Sequence, residues 1–216
     1  MIRVVIADDH TIVREGLKQL LAAAADLAVV GEARSGTEVL QQVRESDFDV
    51  LLLDMSMPGR SGIELIKQVR DEKPKLRILV LSMHQEQQYA VRAIRAGAAG
   101  YLTKDSASAQ LVSAIRKVAD GGAFVSPALA EQFVLDAQPG AAGPPHASLS
   151  DREHQVFQML INGVSVSGIA GQLNLSVKTV STHKANILRK MNMSSEFELI
   201  RYAIGHRLVD DAPDAP

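Results

Sequence analysis

The sequence predicts an α/β protein, in which a doubly wound, five-stranded parallel sheet is followed by a small all-α domain. Two observations predict this order. Short runs rich in branched apolar residues alternate with runs of helical periodicity over the first 120 residues, as in parallel sheets covered by helices on both faces. Beyond a stretch rich in glycine, alanine and proline at residues 138–145, the remaining sequence has helical periodicity.

Within the first part, each element has its own signal. Strands are expected at about residues 2–7, 27–32, 49–53, 77–81 and 99–102. Helices are expected between them, where apolar residues recur three or four positions apart: Leu17, Leu20 and Leu21; Ile63, Ile66 and Val69; Val91 and Ile94. Gly97 is expected to end one helix in a left-handed turn, and the final helix is expected at about 107–120.

The expected division is a first domain at 1–120, a linker with a short helix at 121–147, and a helical domain at 148–212. Gly121 and Gly122 interrupt the last helical pattern of the first domain. Ser150 followed by Glu153 has the spacing of a capping box, so a new helix is predicted to begin there.

Composition excludes several classes of protein. The chain has no cysteine, which excludes disulfides, thiolate metal sites and cysteine nucleophiles. It has no apolar run long enough to span a bilayer, and Asp8 and Asp9 interrupt the N-terminus too early for a signal peptide, so a cytoplasmic protein without a membrane partner is expected. The net charge is −2, yet no acid occurs from His154 to Ser195, a stretch that carries four cations.

Polar residues follow four of the five predicted strands. Asp8 and Asp9 follow the first, Asp54 the third, Ser82 the fourth and Lys104 the fifth. Ligands of open parallel sheets bind at this carboxyl edge, where residues distant in sequence converge. Each residue taken singly has an ordinary alternative, as a helix cap, a turn former or a solvated lysine. Their joint occurrence at successive strand ends favours a shared site.

Three carboxylates and no cysteine or paired histidine favour Mg²⁺ over a transition metal. A carboxylate nucleophile beside this ion can form an acyl phosphate. The ammonium group of Lys104 and the hydroxyl of Ser82 can then hold the remaining phosphoryl oxygens.

Four strings at these positions resemble the receiver domains of two-component response regulators, a flavodoxin-like fold. They are Val4 to His10, Leu52 to Gly59, Leu79 to Ser82 and Gly97 to Lys104.

The resemblance implies a role for each pocket residue. Asp54 is the expected phosphoacceptor and, with Asp8, Asp9 and the Ser56 carbonyl, a ligand of Mg²⁺. Lys104 is expected to contact the phosphoryl group, with Ser82 as the switch hydroxyl and Tyr101 as the aromatic that responds to phosphorylation. Asp105 departs from the pattern, since many receivers have proline after this lysine.

The helical domain contains two predicted helices joined by a short turn. Ile169, Ala170 and Leu173 belong to the first helix, and Ser176 is a good N-cap for the second. The second helix is expected to present small polar and basic residues outward: Lys178, Thr179, Ser181, Thr182, Lys184 and Ala185. Periodicity alone is equally compatible with an ordinary three-helix bundle that has a solvated basic face.

Further strings are similar to LuxR-type DNA-binding domains, and a receiver joined to such a domain is identified as a member of the NarL/FixJ family. The strings are Leu149 to Glu153, Ile169 with Ala170, Leu175 to Val180, His183, and Asn186 to Met191. Several positions that are often basic in the family are not basic here: Ser181, Glu196 and part of Ser165 to Gly168. Weaker non-specific DNA affinity is therefore expected.

The resemblance assigns DNA contacts along the second helix. Lys178 and Lys184 are expected to meet phosphates, whereas Ser181, Thr182 and Ala185 face the bases. Thr179 and His183 complete the expected DNA-binding set.

The expected function is that of a response regulator. A sensor histidine kinase would transfer a phosphoryl group to Asp54, and this would control binding to double-stranded promoter DNA and transcription. The chain is expected to take part in its own phosphotransfer and autodephosphorylation without acting as an enzyme on other substrates. A homodimer on activation is expected, and RNA polymerase is a further expected partner. The last helix has an apolar stripe that is available for pairing; the ordinary interpretation is that the stripe completes the domain's own core. Its residues are Leu199, Ile200, Ala203 and Ile204.

Two alternatives belong to other classes. Phosphatases of the haloacid dehalogenase type also use an aspartate and Mg²⁺, but they need a second acid two positions later, where this chain has Ser56. A pure interaction module would leave the pocket unphosphorylated, which the complete set of polar residues disfavours.

Overall fold

The computed structural model describes residues 1–57, 62–82, 87–127, 129–131, 144–206 and 208–209. The chain divides into two compact units, Met1–Gln138 and Pro139–Pro216. Within the predicted linker, most of the stretch rich in glycine, alanine and proline at 138–145 lies outside the described residues.

The first unit contains the predicted sheet. Its strands are β1 (Ile2–Ala7), β2 (Leu27–Ala33), β3 (Val50–Asp54), β4 (Arg77–Ser82) and β5 (Gly100–Thr103). All pairings are parallel, in the order β2-β1-β3-β4-β5. The predicted fold class is confirmed, and each strand end lies within one residue of its expected position.

Five helices of this unit are α1 (Thr11–Ala22), α2 (Gly36–Glu45), α3 (Gly62–Glu72), α4 (Gln87–Arg95) and α5 (Lys104–Ala119). Gly97 has a φ of +112°, the left-handed conformation that its position predicted. The prediction that α5 begins near residue 107 was wrong by about one turn. Thr103 is its extended N-cap residue and Asp105 lies in its first turn, where a carboxylate favours the positive end of the helix.

Two apolar layers cover the sheet, one on each face. Leu51 and Leu53 of β3 belong to one layer, whereas Val50 and Leu52 belong to the other. Because both faces are covered, all four side chains are fully buried and the strand reads as a continuous apolar run.

Residues that follow α5 belong to the first unit and pack against its sheet. Arg77 donates hydrogen bonds to the carbonyls of Val118, Gly121 and Gly122. Phe124 forms a parallel bridge with Gly100 of β5, where a Cβ atom would lie 2.8 Å from the Phe124 carbonyl oxygen. Leu129 is buried in the core of this unit. Part of the segment that the sequence assigned to the linker therefore packs against the sheet.

The second unit is helical. A 3₁₀ turn at Pro145–Ser148 precedes α6 (Asp151–Ile161), α7 (Val166–Gln172), α8 (Val177–Lys190) and α9 (Glu196–Gly205). Its core includes Phe157, Ile169, Val180, Ile187 and Leu199. In the part of the chain that the structure describes, none of the helices has the length and apolarity needed to cross a membrane.

The predicted capping box is present at the start of α6. The Ser150 hydroxyl accepts from the Glu153 amide, and the Glu153 carboxylate accepts from the Ser150 amide at 2.8 Å. Lys190 of α8 also donates to this carboxylate, at 2.6 Å. Although burial raises the pKa of Glu153, the hydrogen bonds from Lys190 and Ser150 lower it more. One side chain thus caps α6 and joins it to α8.

We predict that Glu153→Gln lowers the free energy of unfolding of the second unit by about 1 kcal/mol, because the charge on the cap and its ion pair are lost. Since the folded-state pKa of Glu153 is lowered, its contribution is present above the unfolded-state value and disappears as the pH falls through the folded value. Hydrogen exchange of residues 150–161 across a pH series measures both effects. A difference between wild type and variant that does not shrink in acid would contradict this account.

Candidate metal centre and nucleic-acid interface

Strand register brings the predicted pocket residues to one edge of the sheet. Ala7 pairs with Leu53, so that Asp8 and Asp54 directly follow at the same level. Ser82 pairs with Thr103, and Lys104 is the next residue along the chain. The parallel arrangement therefore assembles the residues that the sequence placed at successive strand ends.

The side chain of Lys104 bridges the two most buried acids of the pocket. Its Nζ donates to Asp8 Oδ2 at 2.7 Å and lies 3.3 Å from Asp54 Oδ2. Asp8 and Asp54 are each 1% exposed. The pKa of the Asp54 carboxyl is raised above its usual value, chiefly by burial. Lys104 opposes this shift, and the Asp8 carboxylate adds to it. A single ammonium group thus faces two buried carboxylates, with Asp9 beside them.

The acidic cluster fits a metal ion. Ligand atoms of Asp8, Asp9, His10 and Asp54 all lie within 4.8 Å of one another. Both Asp54 oxygens and Asp9 Oδ1 are buried, and among the described residues none of the three accepts a well-formed hydrogen bond. Buried carboxylate oxygens whose hydrogen bonds are incomplete carry a desolvation cost, which a bound cation would offset. The donor set is compatible with a metal site.

The remaining predicted pocket residues have different surroundings. Ser82 is fully buried at the end of β4. Tyr101 is 7% exposed and packs in the core between β5 and the helices. Ser56 is exposed in the turn after β3. Interaction with its backbone N–H lowers the pKa of the Asp54 carboxyl.

His10 belongs to the cluster although its role was not predicted. Its amide donates to Asp8 Oδ1 at 2.8 Å, and its Nδ1 lies 3.0 Å from Asp9 Oδ1. Its side chain is 64% exposed, so this ring lies at the mouth of the pocket.

Arg14 is a second residue that sequence analysis missed. It is 1% exposed, and its guanidinium donates to the Asp8 carbonyl at 2.8 Å and to Glu32 Oε2 at 3.0 Å. Lys18 also pairs with Glu32, at 2.8 Å. A signal was available, since Arg14 occupies the same helical face as Leu17 and Leu21, where an unpaired cation would not be tolerated. Arg14 fixes the backbone of the acid pair to α1 and β2.

Helix α8 presents the predicted polar surface. Asn174, at a φ of 52°, makes the turn after α7, and Ser176 caps α8 by accepting from the Thr179 amide at 3.0 Å. The exposed residues of this surface are Lys178, Ser181, Thr182 and Ala185, whereas Thr179, His183 and Lys184 are half-buried. The opposite side of the helix carries Val180 and Ile187 into the core.

Most cations of the acid-free stretch have partners. Lys184 forms an ion pair with Glu196, the first residue of α9. Lys190 pairs with Glu153, and Arg189 donates to the Asn186 side chain at 3.1 Å. Sequence analysis did not predict these contacts, because the two acids come from outside the stretch.

The apolar stripe expected on the last helix is divided between two environments. Leu199 and Ala203 are fully buried in the core of the second unit, as the ordinary interpretation of the stripe requires. Phe197 and Ile204 are 71% and 63% exposed.

Two family descriptions match the two units. Residues 4–116 match the response regulator receiver domain, and residues 147–203 match the luxR family of bacterial regulatory proteins.

Curated relatives are similar over nearly the whole chain. The response regulator GacA of Pseudomonas viridiflava is 39% identical over 97% of this chain and 99% of its own length. The response regulator UvrY of Escherichia coli K12 is 38% identical over 96% of both chains. Among solved structures, RcsB of Salmonella enterica serovar Typhimurium bound to the promoter rprA with phosphomimetic BeF3⁻ is 30% identical, with a TM-score of 0.69, over 94% of this chain and 98% of RcsB.

We predict that Arg14→Met lowers the free energy of unfolding of the first unit by about 2 kcal/mol, because the Asp8 carbonyl loses a buried charged donor. Urea denaturation followed by circular dichroism measures the change. Lys18→Met, which removes the more exposed partner of Glu32, is the control and should cost clearly less. Equal losses in the two variants would show that the buried hydrogen bond to the Asp8 carbonyl contributes no more to stability than the ion pair of Lys18.

Proposed function

Because the chain belongs to the response regulators that join a receiver domain to a luxR-type DNA-binding domain, we propose that phosphorylation of Asp54 controls its binding to promoter DNA. The single observation that carries this proposal is the environment of Asp54. Its two buried oxygens lack well-formed hydrogen bonds among the described residues, and they lie beside Lys104 and Asp8. A carboxylate in these surroundings has lone pairs available for a phosphorus atom and a cation beside it.

Asp8 and Asp9 suit a different role. Asp8 already accepts from Lys104 and from the His10 amide, and Asp9 is more exposed at the rim. We assign both, with Asp54 and the Ser56 carbonyl, to holding Mg²⁺. The bound ion supplies charge neutralisation to the phosphoryl group during transfer.

In the proposed transfer, an Asp54 oxygen attacks the phosphorus of a phosphohistidine on a sensor kinase. A new O–P bond forms as the N–P bond breaks, and the histidine nitrogen leaves with the electron pair. Lys104 is then positioned to bond a phosphoryl oxygen in place of Asp8, and Ser82 and Tyr101 are the groups assigned to respond. In autodephosphorylation, water attacks the same phosphorus, the bond between phosphorus and the Asp54 oxygen breaks, and inorganic phosphate leaves while the carboxylate is restored.

The DNA-binding part of the proposal concerns α8. Its exposed surface combines small polar residues with Lys178, at the N-terminal half of a helix that follows a short turn. Lys178 and Lys184 are assigned to phosphates, Ser181, Thr182 and Ala185 to bases, and Thr179 and His183 to the same surface. The RcsB structures with promoter DNA support this assignment by similarity.

The remaining proposals concern boundaries and partners. We infer a receiver at 1–120, a linker at 121–147 whose first part packs on the receiver, and a DNA-binding domain at 148–212, in a cytoplasmic protein. Homodimers on activation are part of the proposal, which the similarity to RcsB, solved as two dimers bound to two parallel DNAs, supports. RNA polymerase is the further partner proposed at promoters.

We predict that acetyl phosphate and Mg²⁺ add one phosphate to the wild-type chain and none to Asp54→Asn, as measured by the mass of the intact protein. Asp9→Asn is the matched control, because it removes a neighbouring carboxylate but leaves Asp54 intact. It should still form the adduct, at a lower rate and with a higher Mg²⁺ requirement. Labelling of Asp54→Asn at the wild-type level would overturn the assignment, and phosphate release without any adduct would favour a phosphatase.

For α8, we predict that Lys178→Gln weakens binding to all DNA sequences alike and reduces the salt slope by about one unit. Thr182→Ala should instead change the preference among operator variants by about 1–3 kcal/mol per disturbed base contact, at an unchanged slope. Titration of matched and mismatched duplexes over a salt series separates the two. Uniform weakening by Thr182→Ala would contradict this docking of the helix.

A further inference from the structure

The ion pair between Lys184 and Glu196 joins a cation of the proposed DNA-binding surface to an acid of the next helix. Lys184 lies on α8 two positions after Thr182, within the proposed DNA-binding surface. Glu196 begins α9 and is separated from Lys184 by the turn between the helices. The carboxylate therefore binds the same ammonium group that a DNA phosphate would bind.

We propose that Glu196 is an affinity-determining residue, which holds Lys184 as an internal counter-anion and competes with DNA phosphate for it. This inference rests on the proposed docking of α8 and deepens it. A carboxylate and a phosphate oxygen make the same kind of charge-assisted hydrogen bond to an ammonium group. The ammonium group has three donors, so Glu196 does not block a phosphate, but the carboxylate offsets the charge of Lys184 until their ion pair is released.

The surroundings of the pair keep the competitor in place. Ser195 is the N-cap residue of α9, and its hydroxyl accepts from the Glu198 amide, so the backbone at Glu196 is fixed. A carboxylate in the first turn is also favoured by the helix dipole. The side chains of Lys184 and Glu196 are 27% and 39% exposed, which shields their attraction from solvent better than at a fully exposed pair.

The other cations of the acid-free stretch have different partners. Lys190 is bound by Glu153, and Arg189 bonds Asn186. Lys178 has no ion pair within the described ranges. Release of Lys184 would therefore add one available cation to the surface that carries Lys178.

The test compares Glu196→Gln with Glu198→Gln in the full-length chain. Both variants remove one negative charge from the first turn of α9, but Glu198 accepts from the Ser194 amide and does not contact Lys184. The probe is a labelled DNA duplex of mixed sequence several helical turns long, titrated between about 50 and 200 mM salt. Circular dichroism verifies that each variant is folded.

We expect Glu196→Gln to bind the duplex about two- to fivefold more tightly than Glu198→Gln. Its salt slope should be steeper by about one unit, because Lys184 then displaces a counterion from DNA. Glu196→Ala should act in the same direction. In a Lys184→Gln background, Glu196→Gln should have no more effect than Glu198→Gln.

The inference is overturned if Glu196→Gln and Glu198→Gln behave alike, or if the gain persists without Lys184. A purely structural ion pair would lower the thermal stability of Glu196→Gln and leave DNA affinity unchanged or reduced, which also overturns it. Lys178→Gln separates these results from failure of the proposed docking. If Lys178→Gln changes neither affinity nor salt slope, α8 does not dock as proposed, and the inference about Glu196 fails with it.

Discussion

The contact of one ammonium group with two buried carboxylates is the constraint on which the first unit depends. Lys104 reaches Asp8 and Asp54 because β1, β3 and β5 are parallel and end at the same edge of the sheet. With Asp9 nearby, the acids outnumber the cations in contact with them, and this surplus is compatible with a metal site. Arg14 holds the backbone of Asp8 through a buried hydrogen bond to its carbonyl. The buried contacts that join these strands therefore involve the same residues as the candidate site.

The second unit handles charge in the opposite way. Its acid-free stretch would have an open basic surface, yet carboxylates at the starts of two other helices take up two of its lysines: Glu153 at α6 and Glu196 at α9. Glu153 has two tasks, since it caps its own helix as well. Such acids are stable where they lie, because the positive end of a helix favours them whether or not a lysine is near. The charge of the proposed DNA-binding surface is then set by these helix ends as well as by α8 itself.

Local patterns predicted most of the fold, and contacts distant in sequence explain what they missed. Strand positions, the cap at Ser150 and the acids at strand ends follow from periodicity and residue type, which act over a few neighbours. The start of α5 was misplaced because Lys104 was considered as a pocket residue and not as the first residue of a helix. Arg14 and the Lys184–Glu196 pair were missed because their roles depend on which elements lie side by side. Of these, only Arg14 left a signal, as a cation within an apolar helical stripe.

The bridge between Phe124 and Gly100 has a consequence for solubility. β5 is an edge strand, and edge strands present backbone groups on which a strand of another molecule can assemble. The Phe124 amide donates to the Ala99 carbonyl at 3.0 Å, and the Phe124 carbonyl accepts from the Tyr101 amide at 2.9 Å, so the chain itself occupies the start of this edge. A receiver fragment cut at Asp120 would lose that cover and present a vacant template for self-association. A fragment that retains residues through Leu129 keeps the start of this edge covered.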